Sequence, residues 1–247
     1  MKRVVVVTGA VKGIGRATAE GFLALGDQVI GLDIDAEAIA SAPFDGIVAD
    51  MGDVAAIDNA LTQVVAEHGR IDVLVNNAGI TRRAGLLELT ESDWENITRV
   101  NAKGAFFAMQ GAARQMIEQG GGRIINMASI AGKGFHNSSN VIYAGTKGAL
   151  IAMTRMAAHH LGPHGISVNA VCPGTTETDI VSGLIQRDAQ EQGISVEESR
   201  AQMFSIIPNR RANSPEEVAA LVIFLASDAA INITGQAINI DGGLLMA

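Results

Sequence analysis

One tyrosine and one lysine stand four positions apart in the stretch SNVIYAGTKGAL, as Tyr143 and Lys147. Residues four apart on a helix project from the same face, so the phenol and the ammonium can reach one shared ligand. An ammonium near a phenol favours the ionised phenol, which suits a group that takes up and returns a proton. Ordinary pairs on amphipathic helices have the same spacing, so the pair alone does not separate chemistry from packing.

The surroundings of the pair favour chemistry. Tyr143 is the only tyrosine in the chain, and the residues around it are small enough for another molecule to approach. Ser129 stands 14 residues earlier (143 − 129), just after the apolar run GRIINMA, and Asn101 is a polar residue among small and apolar ones. A strand end and the helix that follows it meet at the carboxyl edge of a parallel sheet, so we expect Ser129 and Tyr143 to lie together there.

Seven apolar, β-branched runs predict the strands that position these residues. They do not alternate between apolar and polar residues, which indicates strands buried on both faces, as in a parallel sheet. The runs are Val4 to Val7, Gln28 to Leu32, Gly46 to Ala49, Ile71 to Val75, Gly122 to Ala128, Ile166 to Val171 and Gln236 to Ile240.

Five segments between these runs have helical character. They are Gly15 to Leu25, Val54 to His68, Ser92 to Glu118, Val141 to Leu161 and Pro215 to Ala226. The alternation of strand and helix predicts a doubly wound α/β fold with a mostly parallel seven-stranded sheet and helices on both faces. We interpret residues 1–247 as one domain. The polar region 175–211 breaks the alternation, and we interpret it as a lid over the carboxyl edge rather than a solvated decoration.

Composition narrows the classes of function. With 247 residues, 48% hydrophobic and 18% charged, the chain suits a single compact domain. A net charge of −8 with only 18 Lys and Arg argues against nucleic-acid and anionic-membrane partners. Cys172 is the one cysteine, and the N-terminal valine run is too short for a membrane span. We therefore expect a cytoplasmic protein whose partners are small molecules or copies of itself.

A glycine turn follows the first predicted strand, in VVVVTGAVKGIG. Gly9, Gly13 and Gly15 lie between this strand and the first helix. Such a turn brings backbone N–H groups and a positive helix end up to a diphosphate with no side chain in the way. The alternative is a turn that merely packs helix on strand, and the position in an α/β chain favours the diphosphate site.

These motifs together resemble the short-chain dehydrogenase/reductase family. The resemblance rests on the spacing G-x-x-x-G-x-G after Thr8, the segment Asn76-Asn77-Ala78-Gly79, the set of Asn101, Ser129, Tyr143 and Lys147, and Pro173-Gly174 after the sixth strand. It runs from about residue 4 to the terminal IDGG, and each part alone is weak. The resemblance implies a Rossmann-type fold and an NAD(P)-dependent oxidoreductase that interconverts a secondary alcohol and its ketone.

The resemblance implies a role for each residue of the catalytic set. Tyr143 is the base in oxidation and the acid in reduction, and Lys147 lowers the pKa of Tyr143 and binds the nicotinamide ribose. Ser129 donates a hydrogen bond to the substrate oxygen. Asn101 holds a water that joins Lys147 to solvent.

The family also implies a set of cofactor contacts. Asp50 and Met51 meet the adenine, the Asn-Asn-Ala-Gly segment lines the cofactor and steadies the sheet, and two threonines lie near the nicotinamide carboxamide. No metal is expected. The full set is Gly9, Lys12, Gly13, Ile14, Gly15, Asp33, Asp50, Met51, Asn77, Ala78, Gly79, Tyr143, Lys147, Pro173, Gly174, Thr176 and Thr178.

Two residues give opposite indications for the cofactor. Asp33 ends the second predicted strand, 18 residues after Gly15 (33 − 15), where a carboxylate accepts hydrogen bonds from ribose hydroxyls and repels a 2′-phosphate. Lys12 lies in the glycine turn, where family members that use NADP often carry a basic residue. We expect the carboxylate to dominate, so we predict NAD rather than NADP.

The substrate remains open between two readings. His136, Asn137 and Ser138 precede Tyr143 and suit a hydroxylated substrate such as a polyol, a sugar or a small hydroxy compound. The alternative is an NADPH-dependent 3-oxoacyl-thioester (acyl-carrier-protein) reductase, and a third reading is a dinucleotide-binding scaffold without catalysis. Family members usually form tetramers, so we expect a homo-oligomer.

Overall fold

A computed structural model describes residues 2–136, 139–177 and 179–246. Across these residues, seven strands form one sheet in the order β3-β2-β1-β4-β5-β6-β7, and every neighbouring pair is parallel. The strands are β1 Val4–Thr8, β2 Gln28–Asp33, β3 Asp45–Val48, β4 Val73–Asn76, β5 Gly122–Met127, β6 Ile166–Pro173 and β7 Ala237–Ile240. The predicted strands are confirmed, and their ends differ from the observed ends by about two residues or fewer.

Helices connect the strands and cover both faces of the sheet. The α-helices of the described ranges are α1 Gly13–Ala24, α2 Ala36–Ala40, α3 Val54–His68, α4 Glu91–Thr98, α5 Ala105–Gln119, α6 Val141–Leu161, α7 Asp179–Gln192, α8 Val196–Phe204 and α9 Pro215–Leu225. A π-helical segment, Arg99–Gly104, joins α4 to α5. Short 3₁₀ turns cover Leu86–Glu88, Ile130–Lys133, Gly162–His164 and Asp228–Ala230.

The hydrophobic core lies on both faces of the sheet, which explains why the strands do not alternate in sequence. Val4 and Val6 of β1 pack in one cluster with residues of α3 and α5. Val5 and Val7 pack in the other cluster with residues of α1 and α9. A strand with apolar neighbours on both sides requires apolar side chains at every position, and the doubly wound α/β fold is confirmed.

The structure corrects one predicted helix. The stretch from Ser92 to Glu118 is not a continuous α-helix, because it widens into the π-helical segment at Arg99–Gly104. The reason is a close backbone approach, since a side chain at Gly104 would overlap the carbonyl oxygen of Met51. Such local π turns inside helices are frequent at functional sites.

A buried hydrogen-bond network ties the middle of the sheet to α6. Asn76 of β4 donates from Nδ2 to Asn126 Oδ1 of β5 at 2.9 Å, and Asn126 donates to Thr154 Oγ1 of α6 at 2.9 Å. All three residues are at most 3% exposed. Buried amides are costly unless they are bonded, so this network holds β4, β5 and α6 in one arrangement.

The region 175–211 leaves the sheet and returns to it. Asn213 donates from its backbone N–H to the carbonyl oxygen of Thr175 at 2.9 Å, and Glu177 donates back to Asn213 at 2.8 Å. Between these ends α7 and α8 pack around a small apolar cluster that includes Ile185 and Phe204. In the described part of the chain, no helix has both the length and the apolar character needed to cross a membrane.

Candidate active site

The structure brings Ser129 and Tyr143 together at the carboxyl edge of the sheet. Ser129 stands two residues beyond β5 and caps the following 3₁₀ turn, where its Oγ accepts a hydrogen bond from Ala131 N at 3.1 Å. Tyr143 lies in the first turn of α6, with its phenol close enough to Ser129 for the serine side chain to lower the pKa of Tyr143. The expected meeting of strand end and helix start therefore occurs at these two residues.

Lys147 lies one turn further along α6 and is almost fully buried. Its side chain is 4% exposed, its Nζ donates to the carbonyl oxygen of Met127 at 2.6 Å, and its Nζ is 5.5 Å from the centroid of the Tyr143 ring. Burial lowers the pKa of Lys147 to about 8. The side chain therefore remains a cation at neutral pH, held against the edge of the sheet.

Two effects of opposite sign act on the pKa of Tyr143. Burial, the larger effect, raises the pKa of Tyr143 above its ordinary value, and the hydrogen bond to Ser129 lowers it. The family resemblance implies instead that Lys147 lowers the pKa of Tyr143. The chain's own residues raise it, so the phenol is protonated at neutral pH unless further positive charge is added.

Asn101 lies in the π-helical segment and is completely buried. Its Oδ1 accepts from Ile80 N at 2.8 Å, and its Nδ2 donates to Ile80 O at 2.9 Å and to Thr146 Oγ1 at 3.2 Å. Both N–H donors of the amide thus have protein partners. Asn101 braces the loop after β4 against α6, next to Lys147.

Asn140 is a site residue that the sequence reasoning missed. It caps α6 by accepting the backbone N–H of Tyr143 at 2.8 Å. Its Nδ2 donates to Arg82 O at 2.6 Å and to Thr81 Oγ1 at 3.2 Å, in the loop after β4. The signal was available, because an asparagine directly before a predicted helix is a typical N-cap.

The glycine turn is kept free of side chains. Gly9 and Gly13 adopt left-handed backbone angles, with φ of +64° and +53°. A side chain at Gly15 would overlap the Gly9 carbonyl and the Asn77 amide. Asn77 donates from Nδ2 to the carbonyl oxygens of Thr8 and Gly9, both at 3.0 Å, so its side chain braces the turn from behind.

Thr8, which in the sequence only marked the start of the glycine motif, completes this brace. Its Oγ1 accepts the backbone N–H groups of Asn77 at 3.0 Å and Ala78 at 2.9 Å. Ala78 therefore lies close to the turn, and a side chain at Gly9 would approach Ala78 Cα to 2.9 Å, while Gly79 lies beside Lys147 and Asn101. Ile14, beside Gly13 at the start of α1, is half-buried.

Asp50 and Met51 lie beside the π-helical segment. Arg99 donates from Nη1 to Asp50 Oδ2 at 2.7 Å, and Gly52 N donates to Oδ1 at 2.8 Å. The Arg99 guanidinium, followed by the Gly52 amide, holds the pKa of Asp50 below its usual value. Met51 is buried in the core. The carboxylate that was expected at the adenine is thus already ion-paired, and Arg99 was not anticipated.

Asp33 is half-buried at the tip of β2 and faces the glycine turn. Its Oδ2 accepts from Val11 N at 3.3 Å and its Oδ1 accepts from Asp35 N at 3.2 Å. Lys12, the other residue with a bearing on cofactor choice, is 77% exposed, and its Nζ is 3.1 Å from Asp35 Oδ2. The lysine of the turn is therefore paired with a carboxylate.

The remaining expected contacts lie beyond β6. Pro173 is buried at the end of β6, and a side chain at Gly174 would approach Asp241 Cβ to 2.7 Å. Thr176 is 7% exposed and donates from Oγ1 to the Gly174 carbonyl at 3.4 Å. Thr178, and the candidate substrate residues Asn137 and Ser138, lie outside the described residues. Among the side chains that the structure describes, no three His, Cys, Asp or Glu are grouped to hold a metal ion.

This arrangement fits a nicotinamide dinucleotide. A bare glycine turn at the N-terminus of α1, a carboxylate at the tip of β2, and the Tyr143 and Lys147 pair lie along the carboxyl edge of one parallel sheet. Ligands of doubly wound folds bind at this edge. Fold and site together define an NAD(P)-dependent oxidoreductase.

Comparison with known proteins identifies the family. The family model described as enoyl-(acyl carrier protein) reductase matches residues 9–245. A 3-oxoacyl-[acyl-carrier-protein] reductase of Thermotoga maritima is 40% identical, and the alignment covers 99% of this chain and 98% of the relative. A sorbitol dehydrogenase of Cereibacter sphaeroides is 36% identical, with 98% and 96% covered. The chain belongs to the short-chain dehydrogenase/reductase family.

A solved structure agrees with this assignment. The ligand-free aldohexose dehydrogenase of Thermoplasma acidophilum superposes with a TM-score of 0.90 at 34% identity, covering 98% of this chain and 94% of that one. The relatives include acyl reductases and sugar or polyol dehydrogenases alike. Both proposed substrate classes therefore occur within this family, and sequence similarity does not distinguish between them.

Proposed function

We propose that this chain is an NAD-dependent dehydrogenase that interconverts a secondary alcohol of a polyol, a sugar or a small hydroxy compound and the corresponding ketone. The observation that carries the choice of NAD is Asp33, half-buried at the tip of β2 and bonded to the glycine turn at Val11. A carboxylate at this point accepts ribose hydroxyls and repels a 2′-phosphate. The pairing of Lys12 with Asp35 weakens the opposing indication for NADP.

The proposed mechanism assigns the proton to Tyr143. In oxidation the Tyr143 oxygen takes the proton of the substrate hydroxyl, and in reduction it returns one to the carbonyl oxygen. Ser129, beside Tyr143, donates a hydrogen bond to the same substrate oxygen in this proposal. When bound, the nicotinamide cofactor accepts or supplies the hydride.

Lys147 supports this proton transfer in two ways. Its buried ammonium favours the ionised form of Tyr143, against the effect of burial. It also lies near Asn101: a side chain at Gly79 would be 3.4 Å from Lys147 Nζ and 3.5 Å from Asn101 Oδ1. Glycine thus leaves room between the two groups, and we place there the water that passes protons to solvent.

We further propose that residues 175–211 form a lid and that the chain self-associates. The lid interpretation is supported by the tied ends at Thr175 and Asn213, next to the carboxyl edge of β6. Self-association is supported by the exposed apolar side chains Phe106 and Ile117 on α5 and Met156 on α6. Light scattering on the purified protein measures the oligomer directly.

The alternative substrate reading is an NADPH-dependent reductase of 3-oxoacyl thioesters. It is favoured by the identity of 40% with the reductase of Thermotoga maritima. Asp33 opposes it, and the net charge of −8 makes the surface a poor partner for an acidic carrier protein. Both readings use the same catalytic residues, so they differ at the cofactor and the substrate only.

A panel assay tests the proposal. Formation of reduced nicotinamide is followed with polyols, sugars, hydroxy acids and simple secondary alcohols, each with NAD and separately with NADP, and its loss is followed with 3-oxoacyl thioesters. Turnover with NAD on a polyol or sugar supports the proposal. Turnover confined to NADPH and 3-oxoacyl thioesters would overturn it in favour of the reductase, and no turnover with any member favours a scaffold.

A further inference from the structure

We propose that Asp35 is a second cofactor-specificity residue, which acts by holding Lys12 away from the position of a 2′-phosphate. The inference deepens the proposed function and rests on it in one respect, namely that the adenosine ribose binds at Asp33. It assigns a role to a residue two positions beyond the strand tip that otherwise serves only to start α2.

Three charged side chains meet at the corner where the glycine turn approaches β2. Val11 donates its backbone N–H to Asp33 Oδ2 at 3.3 Å. The next residue, Lys12, is the N-cap of α1, and its Nζ reaches Asp35 Oδ2 at 3.1 Å. The backbone N–H of Asp35 in turn donates to Asp33 Oδ1 at 3.2 Å. Lys12 is therefore linked to the carboxylate that is expected at the ribose through its neighbour Val11 and through Asp35.

Asp35 is the fixed member of the ion pair. Its Oδ1 accepts from Ala38 N at 3.1 Å as the N-cap of α2, while its Oδ2 remains for Lys12. These bonds hold the pKa of Asp35 below its usual value, with the Ala38 amide as the first cause and Lys12 as the second. The lysine side chain is 77% exposed, whereas Asp35 is 36% exposed and bonded to Ala38, so the carboxylate positions the ammonium and not the reverse.

The pairing changes the charge that a 2′-phosphate would meet. Two carboxylates and one ammonium give the corner a charge of −1, whereas without Asp35 it would be neutral and Lys12 would be free to turn toward the phosphate. An ion pair this exposed is weak, because water screens it. The phosphate can therefore compete for Lys12, and we expect Asp35 to set a graded preference of a few fold rather than an absolute exclusion.

Binding of NADH and NADPH to the purified protein, followed by fluorescence titration without any substrate, tests this inference. Asp35→Asn removes the charge and keeps a good N-cap, so α2 is preserved. We expect Asp35→Asn to tighten NADPH about three- to tenfold and to change NADH by less than about twofold. The gain should shrink at about 0.5 M salt.

Two further variants test whether Asp35 affects NADPH binding through Lys12. In the Lys12→Met background, Asp35→Asn should change NADPH binding by less than about twofold, because the lysine it releases is gone. Glu37→Gln removes another carboxylate from the first turn of α2 and should leave the NADH to NADPH ratio unchanged. Thermal unfolding of each variant checks that the fold is intact.

The outcomes separate this inference from the choice of cofactor. Unchanged NADPH binding in Asp35→Asn overturns the inference, and so does an equal gain with and without Lys12, which would mean direct repulsion by Asp35. The ratio of the two dissociation constants in the unmodified protein tests the proposed NAD preference on its own. A protein that prefers NADPH and still shows the Lys12-dependent gain would refute the NAD proposal and support the role of Asp35.

Discussion

The backbone N–H of Tyr143 donates to Asn140 Oδ1 at 2.8 Å, and the same asparagine donates from Nδ2 to Arg82 O at 2.6 Å. One buried side chain thus fixes the start of α6 and joins it to the loop after β4. Asn140 touches none of the reacting atoms that we assign, so it is a positioning residue. These two of its three side-chain bonds connect the place of the candidate acid/base group to a loop about sixty residues away in sequence.

Variants of Asn140 separate these two bonds. Asn140→Ala loses both and should lower the free energy of unfolding by about 2 kcal/mol. Asn140→Ser keeps a capping oxygen but cannot reach Arg82, so it should recover about half of this loss while kcat stays several-fold low. Urea unfolding and steady-state kinetics measure the two effects. If activity returns together with stability in Asn140→Ser, the link to the loop does not position Tyr143.

Removal of the Tyr143 hydroxyl should abolish turnover and spare the cofactor. Tyr143→Phe keeps the ring in its half-buried place but has no proton to transfer, so kcat should fall at least about a hundredfold. The dissociation constant for NADH should stay within about threefold, because the glycine turn and Asp33 are unaffected. Kinetics and fluorescence titration on one preparation give both values. Turnover at the normal rate would refute the assigned mechanism.

The buried ammonium of Lys147 should make stability depend on pH. Burial lowers its pKa from 10.5 to about 8 in the folded chain. Between these values the unfolded chain binds more protons, so the free energy of unfolding rises with pH. The cost of burying the charge is constant below about pH 8 and disappears above about pH 10.5.

Comparison with Lys147→Met isolates this group. From pH 7 to 10 the unmodified protein should gain on the order of 2 kcal/mol relative to the variant, since groups away from Lys147 titrate alike in both. Urea unfolding of both proteins at each pH measures the difference. Parallel pH profiles would show that Lys147 does not carry a lowered pKa in the folded state.

A methyl group in the glycine turn should abolish cofactor binding. The side chain of Gly15→Ala would overlap the carbonyl of Gly9 and the Asn77 amide, so the turn must shift, at a cost of about 2 kcal/mol. Gly162→Ala, at the end of α6 far from Tyr143, is the matched control, because nothing lies within 4 Å of the added carbon. The control should be neutral or slightly stabilising. NADH titration and thermal unfolding distinguish the two, and normal binding by Gly15→Ala would contradict the site.

The sequence by itself determined the fold class and proposed most residues of the candidate site. Strands such as VVVV and ISVNAV are apolar at every position, which requires helices on both faces and therefore a parallel sheet. The spacings from Gly9 to Gly15 and from Tyr143 to Lys147 mark a turn and a helix face, because both depend on residues near one another in the chain. Relations between residues that are close in the chain can be predicted from the sequence alone.

The tertiary structure decided which partners these residues have. The pairing of Lys12 with Asp35, of Asp50 with Arg99, and the link from Asn140 to Arg82 each join segments that are more than twenty residues apart. The widening of the predicted helix at Arg99–Gly104 likewise depends on the Met51 carbonyl that packs against Gly104. These features come from packing and burial, which set both the distances and the raised pKa of Tyr143. Secondary-structure propensity and residue spacing describe neighbours in the chain, so they do not predict contacts between distant segments.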